Sequence, residues 1–255
     1  MLQVFSMPGG FLEFDSKLFF PNLEKGELFT IPVPSYLITH PKGNVVFDTG
    51  VHCQAIDDPI GRLGEIAKLF VSRTKPGEEI VTQLAKFNLT PNDISHVVNS
   101  HFHFDHCGGN EFFPRSTILI QKNEMHAARD PELRKKAFFD PKDFDHKLNY
   151  QEVSGEHDIF GDGSLVLFPT HGHTPGHQSL RVRVGKDTVV LTGDACYTKI
   201  NMDQNLLPSV AFDEAEMYKS LGKLRDLRDK QGATIIYGHD PQQWKEIPHA
   251  PEPLA

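Results

Sequence analysis

The stretch that decides the fold reads His101-Phe102-His103-Phe104-Asp105-His106, which places three imidazoles and one carboxylate within six residues. Histidine and carboxylate side chains are the usual ligands of zinc and of related divalent metals. Because each such group otherwise needs its own partner or solvent, so dense a cluster is unfavourable unless a cation gathers it. The run therefore predicts one half of a two-metal site.

Three further polar side chains extend the predicted site along the chain. They are His173, Asp194 and His239, and each directly follows a glycine that comes after an apolar run. Glycine lets the backbone approach closely, and the ends of strands are where a scaffold presents functional side chains. With the first cluster they make five histidines and two aspartates, about the number that two metals sharing one carboxylate require.

The elements around these residues predict a layered α/β or α+β fold. The patterns predict a Gly-Gly turn at 9–10, hairpins at 35–47 and 165–184, a strand at 96–98 that enters the cluster, a strand at 117–121, helices at 79–87, 124–128 and 214–230, and a last strand at 234–237. The segment 52–78 shows no clear period and is left unassigned. No repeat or linker divides the chain, so we expect residues 1–255 to form one domain.

Composition excludes several classes of function. Apolar residues make up 38% of the 255 and charged residues 24%, and no stretch is long and apolar enough for a membrane helix. The net charge is −8, with basic residues scattered, which disfavours a nucleic-acid substrate. Three unpaired cysteines and an N-terminus without a signal-like segment favour a reducing, cytoplasmic compartment.

The order His-x-His-x-Asp-His, His, Asp, His, with Asp48-Thr49-Gly50 upstream, resembles the metallo-β-lactamase superfamily over residues 48–239. The resemblance implies a four-layer αββα sandwich with two divalent metals, zinc by default, at one edge between the sheets. In the superfamily pattern the first metal is bound by His101, His103 and His173, the second by Asp105, His106 and His239, and Asp194 bridges them. It also implies that Asp48 supports a ligand histidine and that His177 orders its own turn instead of binding metal.

Within the superfamily, the segment 191–199 is similar to N-acyl homoserine lactonases, which have a tyrosine three residues after the bridging aspartate, as Tyr197 stands here. This resemblance implies that a hydroxide held between two metals attacks the carbonyl of the lactone ring. Tyr197 would stabilise the oxyanion and Asp105 would carry the proton to the leaving oxygen. Phe104, between two ligands, would touch the substrate.

Several alternatives remain open at this point. Class B β-lactamases have cysteine at the position of Asp194, so that activity is disfavoured, whereas glyoxalase II-like thioesterases share the whole ligand set. Other lactone, ester or phosphoester hydrolases, including γ-butyrolactone hydrolases, fit the same centre. Phe102 and Phe104 near the ligands favour a neutral, apolar substrate, and a few other phenylalanines near the N-terminus or the insertion are expected in an acyl pocket. The insertion at 52–78 resembles the loops of dimeric lactonases and predicts a homodimer.

Overall fold

The computed structural model describes residues 1–255 and contains two β-sheets. The first sheet has seven strands in the spatial order β4-β1-β2-β3-β5-β6-β7. Their bounds are β1 Gln3–Asp15, β2 Leu28–Thr39, β3 Asn44–Phe47, β4 Val71–Ser72, β5 Ile94–Val98, β6 Thr117–Gln121 and β7 Asn149–Val153. Strands β1 to β3 are antiparallel, and β3, β5, β6 and β7 are parallel.

The second sheet has five strands in the order β12-β11-β10-β9-β8. Their bounds are β8 His157–Asp158, β9 Leu165–Pro169, β10 Gln178–Val184, β11 Asp187–Leu191 and β12 Thr234–Ile236. Alternate side chains of the two sheets face one another, so that Val45 and Phe47 pack with Leu180 and Val182 in one buried cluster. This period of two is what a sheet buried on a facing sheet requires.

Helices cover the outer face of each sheet. Their bounds are α1 Gln54–Asp57, α2 Pro59–Leu63, α3 Ile80–Ala85, α4 Phe104–Cys107, α5 Lys122–Arg129, α6 Pro131–Lys136, α7 Pro141–Phe144, α8 Lys199–Asp203, α9 Glu214–Gln231 and α10 Pro241–Glu246. Helix α3 packs on the outer face of the first sheet and α9 on that of the second. The αββα sandwich expected from the sequence is therefore confirmed.

The long helix α9 was predicted from the sequence because both of its ends and its apolar face have clear local signals. Asp213 accepts a hydrogen bond from the Glu216 amide at its start, and Gly232 ends it with a left-handed φ of 70°. Leu221 and Leu224 lie on the buried face between these two caps. Capping at both ends with one apolar face fixes a helix from local sequence alone.

The predicted Gly9-Gly10 turn is wrong. Strand β1 continues through both glycines and stays paired with β2, with only a register shift between Pro8 and Phe11. A side chain on Gly9 would lie 2.8 Å from the Gly50 Cα, and the Gly9 carbonyl accepts a hydrogen bond from the amide of residue 51. The glycines form a bulge that admits a second segment of backbone, and in sequence a bulge and a turn look alike.

The segment 52–78, which the sequence left unassigned, consists of α1, α2, a 3-10 turn and the edge strand β4. Each piece is too short to show a helical or strand period, which is why no pattern predicted it. No helix of the structure combines the length and the apolar composition that crossing a bilayer requires.

Candidate metal centre

The seven predicted metal ligands come from four loops at one edge of the sandwich. The loop after β5 and helix α4 carry His101, His103, Asp105 and His106, the β9–β10 loop carries His173, and the segments after β11 and β12 carry Asp194 and His239. Both sheets therefore contribute, and all seven side chains meet where the carboxyl ends of β5, β11 and β12 lie together. The structure divides them into two groups that could each hold a metal ion, His101, His103, His173 and Asp194 in one and Asp105, His106 and His239 in the other.

Asp194 lies between the two groups. Its Oδ2 is 3.3 Å from His173 Nε2, and its Oδ1 is 3.0 Å from His239 Nε2 and 3.1 Å from His106 Nε2. Asp105 Oδ2 lies 3.6 Å from His106 Nε2 on the second side. One carboxylate thus offers one oxygen to each group, which is the arrangement expected of a bridging ligand.

The second nitrogen of each histidine is held by an oxygen atom. The contacts are His101 Nδ1 with Ser100 Oγ at 2.9 Å, His103 Nε2 with the Ala137 carbonyl at 2.8 Å, His106 Nδ1 with Asp48 Oδ2 at 2.9 Å, His239 Nδ1 with the Pro32 carbonyl at 2.8 Å, and His173 Nδ1 with the Tyr197 hydroxyl at 3.2 Å. A carbonyl or carboxylate can only accept, so the histidine beside it carries its proton there. In the neutral ring the opposite nitrogen keeps its lone pair, and in all five histidines this opposite nitrogen faces the site.

The electrostatics of the site fit two cations. Burial lowers the pKa of His101 and of His173 well below the usual value, which keeps both imidazoles neutral and able to ligate. Burial acts to raise the pKa of Asp194, but His106, His239 and His173 hold it well below its ordinary value. His106 Nε2 and Asp194 Oδ1 are buried without hydrogen-bonding geometry to any partner. Unpartnered buried polar atoms are rare in proteins, so this donor set fits divalent metals.

Asp48 lies behind the second group. Its carboxylate contacts His106 and also accepts hydrogen bonds from the Ser100 amide at 2.7 Å and the Ser100 hydroxyl at 2.8 Å. Ser100 in turn contacts His101, so one buried network orients a histidine of each group. Sequence reasoning missed Ser100, and its only signal was its place directly before the first ligand.

His177 is turned away from the ligand set. Its Nε2 accepts a hydrogen bond from the Asp194 amide at 2.9 Å, and its Nδ1 contacts the Thr170 hydroxyl at 2.9 Å. Burial lowers the pKa of His177 to about 3, so the ring is neutral. Both nitrogens are used within the protein, and His177 therefore fixes the backbone of Asp194.

A cavity of about 370 Å³ opens onto the centre, and 11 of the 17 residues that line it are hydrophobic. His103, Asp105, His173, Asp194 and His239 are among its residues, together with Phe104 and Tyr197. The Tyr197 ring packs on Phe19 at a centroid distance of 4.2 Å. Burial, helped by the Asp194 charge, raises the pKa of the Tyr197 phenol well above its usual value, so it stays a neutral hydrogen-bond donor.

Phe102 does not lie in this cavity, contrary to the expectation that both phenylalanines of the run favour an apolar substrate there. Its ring is fully buried and stacks on Phe144 at 4.9 Å in a separate core cluster. Alternate side chains of an extended segment point in opposite directions, so Phe102 faces the helices while His101 and His103 face the centre.

The apolar wall of the cavity comes from residues that no motif singles out. They are Leu12, Leu18, Phe19, Ile31, Ile66, Leu69, Phe70, Phe138 and Val210. Phe19 and Phe70 match the expectation of pocket residues near the N-terminus and in the insertion. Phe138 is 68% exposed at the cavity and has a left-handed φ of 58°.

Known proteins match the chain over most of its length. The family model of the metallo-beta-lactamase superfamily matches residues 29–239 of the chain. An N-acyl homoserine lactonase, AttM of Azorhizobium caulinodans, is 36% identical over 90% of both chains. An N-acyl homoserine lactonase of Bacillus cereus is 31% identical over 98% of both.

A solved N-acyl homoserine lactone hydrolase, with N-hexanoyl-L-homoserine bound at its catalytic metal centre, superposes with a TM-score of 0.87, 30% identity and 98% coverage of both chains. The match covers both sheets and all four loops that carry the candidate ligands. The chain therefore belongs to the metallo-β-lactamase superfamily, and within it the N-acyl homoserine lactonases are relatives that it matches along nearly its whole length.

Proposed function

We propose that this protein hydrolyses the lactone ring of N-acyl homoserine lactones. The observation that carries the proposal is the pairing of two ligand groups bridged by Asp194 with an apolar cavity that opens directly onto them. The homologous lactonases and the product-bound hydrolase support the same substrate class. The neutral ring and acyl chain of such a substrate need apolar walls, and the cavity provides them.

We infer that His101, His103 and His173 hold one divalent ion, that Asp105, His106 and His239 hold the second, and that Asp194 joins them. Zinc is the metal that imidazole and carboxylate ligands of this kind suit best. When bound, two such ions polarise the carbonyl and lower the pKa of a water to about 7, which supplies the nucleophile at neutral pH.

We infer that Tyr197 donates a hydrogen bond to the oxygen of the reacting carbonyl. When His173 Nε2 faces a metal, its Nδ1 carries the proton and donates to the phenol oxygen 3.2 Å away. The phenol hydrogen then points away from His173, toward Asp194 and the cavity that both residues line. Asp105 lines the same cavity beside His106 and His239, where its carboxylate can accept the proton of the attacking water and pass it to the departing ring oxygen. Phe104 contributes apolar contact to the substrate beside these groups.

The test is ring opening that depends on both ligand groups. Protein loaded with zinc should convert an acyl homoserine lactone to the acyl homoserine and contain close to two ions per chain. Asp194→Ala removes the oxygen offered to each group, so we expect metal content below two ions and nearly complete loss of turnover. Full activity with one tightly held ion per chain would contradict the two-metal proposal.

Three further expectations stay predictions. All three cysteines are free thiols, which accords with the reducing, cytoplasmic compartment expected from the sequence. The homodimer suggested by the 52–78 segment and the identity of the metal await measurement of mass in solution and of metal content.

A further inference from the structure

Glu124 is a buried carboxylate that no motif singled out. It lies in the first turn of α5 with no exposed surface. Its Oε1 accepts a hydrogen bond from the Phe102 amide at 3.1 Å. Its Oε2 accepts hydrogen bonds from the Thr174 hydroxyl at 2.9 Å and from the Gly176 amide at 2.7 Å. All three partners are donors, as an ionised carboxylate requires.

These donors belong to the two loops that carry the first group of histidines. Phe102 lies between His101 and His103, and Thr174 directly follows His173. The first loop leaves the seven-stranded sheet and the second enters the five-stranded sheet. One side chain therefore spans the gap between the sheets at the point where three imidazoles must meet.

The fit between the second loop and α5 is close. A Cβ on Gly176 would lie 2.1 Å from the Glu124 nitrogen, so only glycine lets the loop reach the carboxylate. The Gln178 amide also joins the two loops, through its hydrogen bond to the Ser100 carbonyl at 3.0 Å, but the Glu124 carboxylate contacts the residues directly beside His103 and His173.

We propose that Glu124 is a positioning residue for the metal held by His101, His103 and His173, acting by fixing the spacing of the loops that carry them. The proposal rests on the metal centre of the proposed function. Partners behind the ligands in metalloproteins act in this way, and their loss typically lowers metal affinity about 10- to 100-fold.

The charge of the region supports the same role. Asp48, Asp105, Asp194 and Glu124 are all buried. Burial raises the pKa of Glu124 to about 7, against the effect of its three hydrogen-bond donors. Positive charge nearby would therefore stabilise the ionised form of Glu124. Two divalent cations would balance the charges of the four carboxylates.

The test is Glu124→Gln, with Glu132→Gln as the matched control. Glutamine keeps the size of the side chain but directs an NH2 group at one or more of the three donors, whereas Glu132 is exposed on α6. Zinc affinity is measured by chelator competition on metal-free protein, with elemental analysis and thermal unfolding alongside. We expect Glu124→Gln to release one of its two ions about 10- to 100-fold more readily, with the control like the parent.

A purely structural role gives a different result. In that case Glu124→Gln lowers the unfolding temperature of the metal-free protein but binds both ions with parental affinity, and the proposal is overturned. Should this variant not fold, Thr174→Val and Thr174→Ser decide between the two. Lower affinity in the valine variant, restored by the serine hydroxyl, supports positioning, and equal affinities in both overturn it.

Lactone turnover is not a readout of this experiment. A parent protein that binds two ions but opens no lactone would refute the proposed function and leave the role of Glu124 standing. Parental metal affinity in the variants, with lactone hydrolysis intact, would refute only the role of Glu124.

Discussion

At the scale of single residues, the candidate centre depends on atoms that face away from it. Each of the five histidines has one nitrogen on an oxygen partner, and three of these partners are backbone carbonyl or carboxylate oxygens whose chemistry allows only acceptance. These contacts fix which nitrogen of each ring faces the site before any metal arrives. Preorganisation of this kind reduces the conformational entropy that metal binding would otherwise cost.

Tyr197 gives the sharpest prediction at this scale. Because its phenol is neutral, and its oxygen accepts from His173 Nδ1 once His173 Nε2 binds a metal, we expect its hydrogen to be donated to a developing oxyanion. We expect Tyr197→Phe to keep both metals and the fold but to lower kcat about ten- to several-hundred-fold, about 1.4–3.5 kcal/mol. Tyr218→Phe, at a 43% exposed position on α9, is the control. Steady-state kinetics equal to those of the parent on every lactone would remove Tyr197 from the mechanism.

Phe138 supplies a second prediction. Four residues other than glycine have a positive φ, and Phe138 is the one that is not Asn or Asp. Backbone strain of this kind commonly accompanies a functional site. Asparagine tolerates the left-handed conformation, so we expect Phe138→Asn to leave the free energy of unfolding within about 0.5 kcal/mol of the parent.

The same variant should weaken contact with a long acyl chain, because Phe138 lines the cavity. We expect KM for long-chain lactones to rise roughly fivefold, about 1 kcal/mol of lost apolar contact, with little change for the shortest chains. Kinetics across a series of chain lengths checks this, and an equal rise for all lengths would argue against an acyl contact.

At the scale of elements, one buried ion pair joins the segment 52–78 to helix α7, in addition to the pairing of β4 with β1. Arg62 on α2 contacts Asp143 on α7, and both side chains are more than nine-tenths buried. The same segment then contributes Ile66, Leu69 and Phe70 to the cavity wall. The ion pair therefore connects α7 to the segment that forms this wall.

We expect Asp143→Asn to destabilise the fold by about 3–5 kcal/mol, because it leaves the guanidinium of Arg62 buried without a counter-charge. The exposed pair of Arg129 and Glu152 provides the control, since Glu152→Gln should cost about 1 kcal/mol or less. Chemical denaturation measures both. Similar small losses in the two variants would show that the buried pair does not hold the segment.

The sequence predicted elements well where local signals were complete. Helix α9 has a capping residue at each end and one apolar face. Strands β9 and β10 have alternating apolar residues, and a short turn connects β10 to β11. The sequence-based prediction was wrong at Gly9-Gly10, because a bulge has the same composition as a turn. It assigned no structure to the segment 52–78, because each helix or strand there is shorter than two periods of its pattern. The residues of the cavity wall were not predicted because only the tertiary fold brings them together.

At the scale of the whole molecule, the centre lies where two sheets meet, and side chains join them there. Gln178, at the start of β10, donates hydrogen bonds to the Asn99 and Leu119 carbonyls of the other sheet and accepts one from Gln121. Residue Ala255 contacts strand β1, because its carbonyl accepts a hydrogen bond from the Val4 amide at 2.8 Å. From the hydrogen bonds of Gln178 between the two sheets we infer that residues 1–255 form one domain.

The ligand set was visible in the sequence because its residue types and order are specific, whereas the substrate depends on the shape of a cavity that no local pattern encodes. That cavity has apolar walls, and the charged residues that line it are the ligands themselves and Glu65. A glutathione thioester needs cationic groups to hold its carboxylates, and the lining contains no lysine or arginine. The cavity therefore favours a neutral acyl lactone over the glyoxalase-like alternative.

The most direct test of this account compares kcat/KM of the zinc-loaded protein on medium- or long-chain N-acyl homoserine lactones and on S-lactoylglutathione. We predict that the lactone is preferred by at least about two orders of magnitude, about 2.7 kcal/mol of differential transition-state binding. A thioester hydrolysed faster than every lactone would contradict the account and assign the same metal centre to thioester hydrolysis.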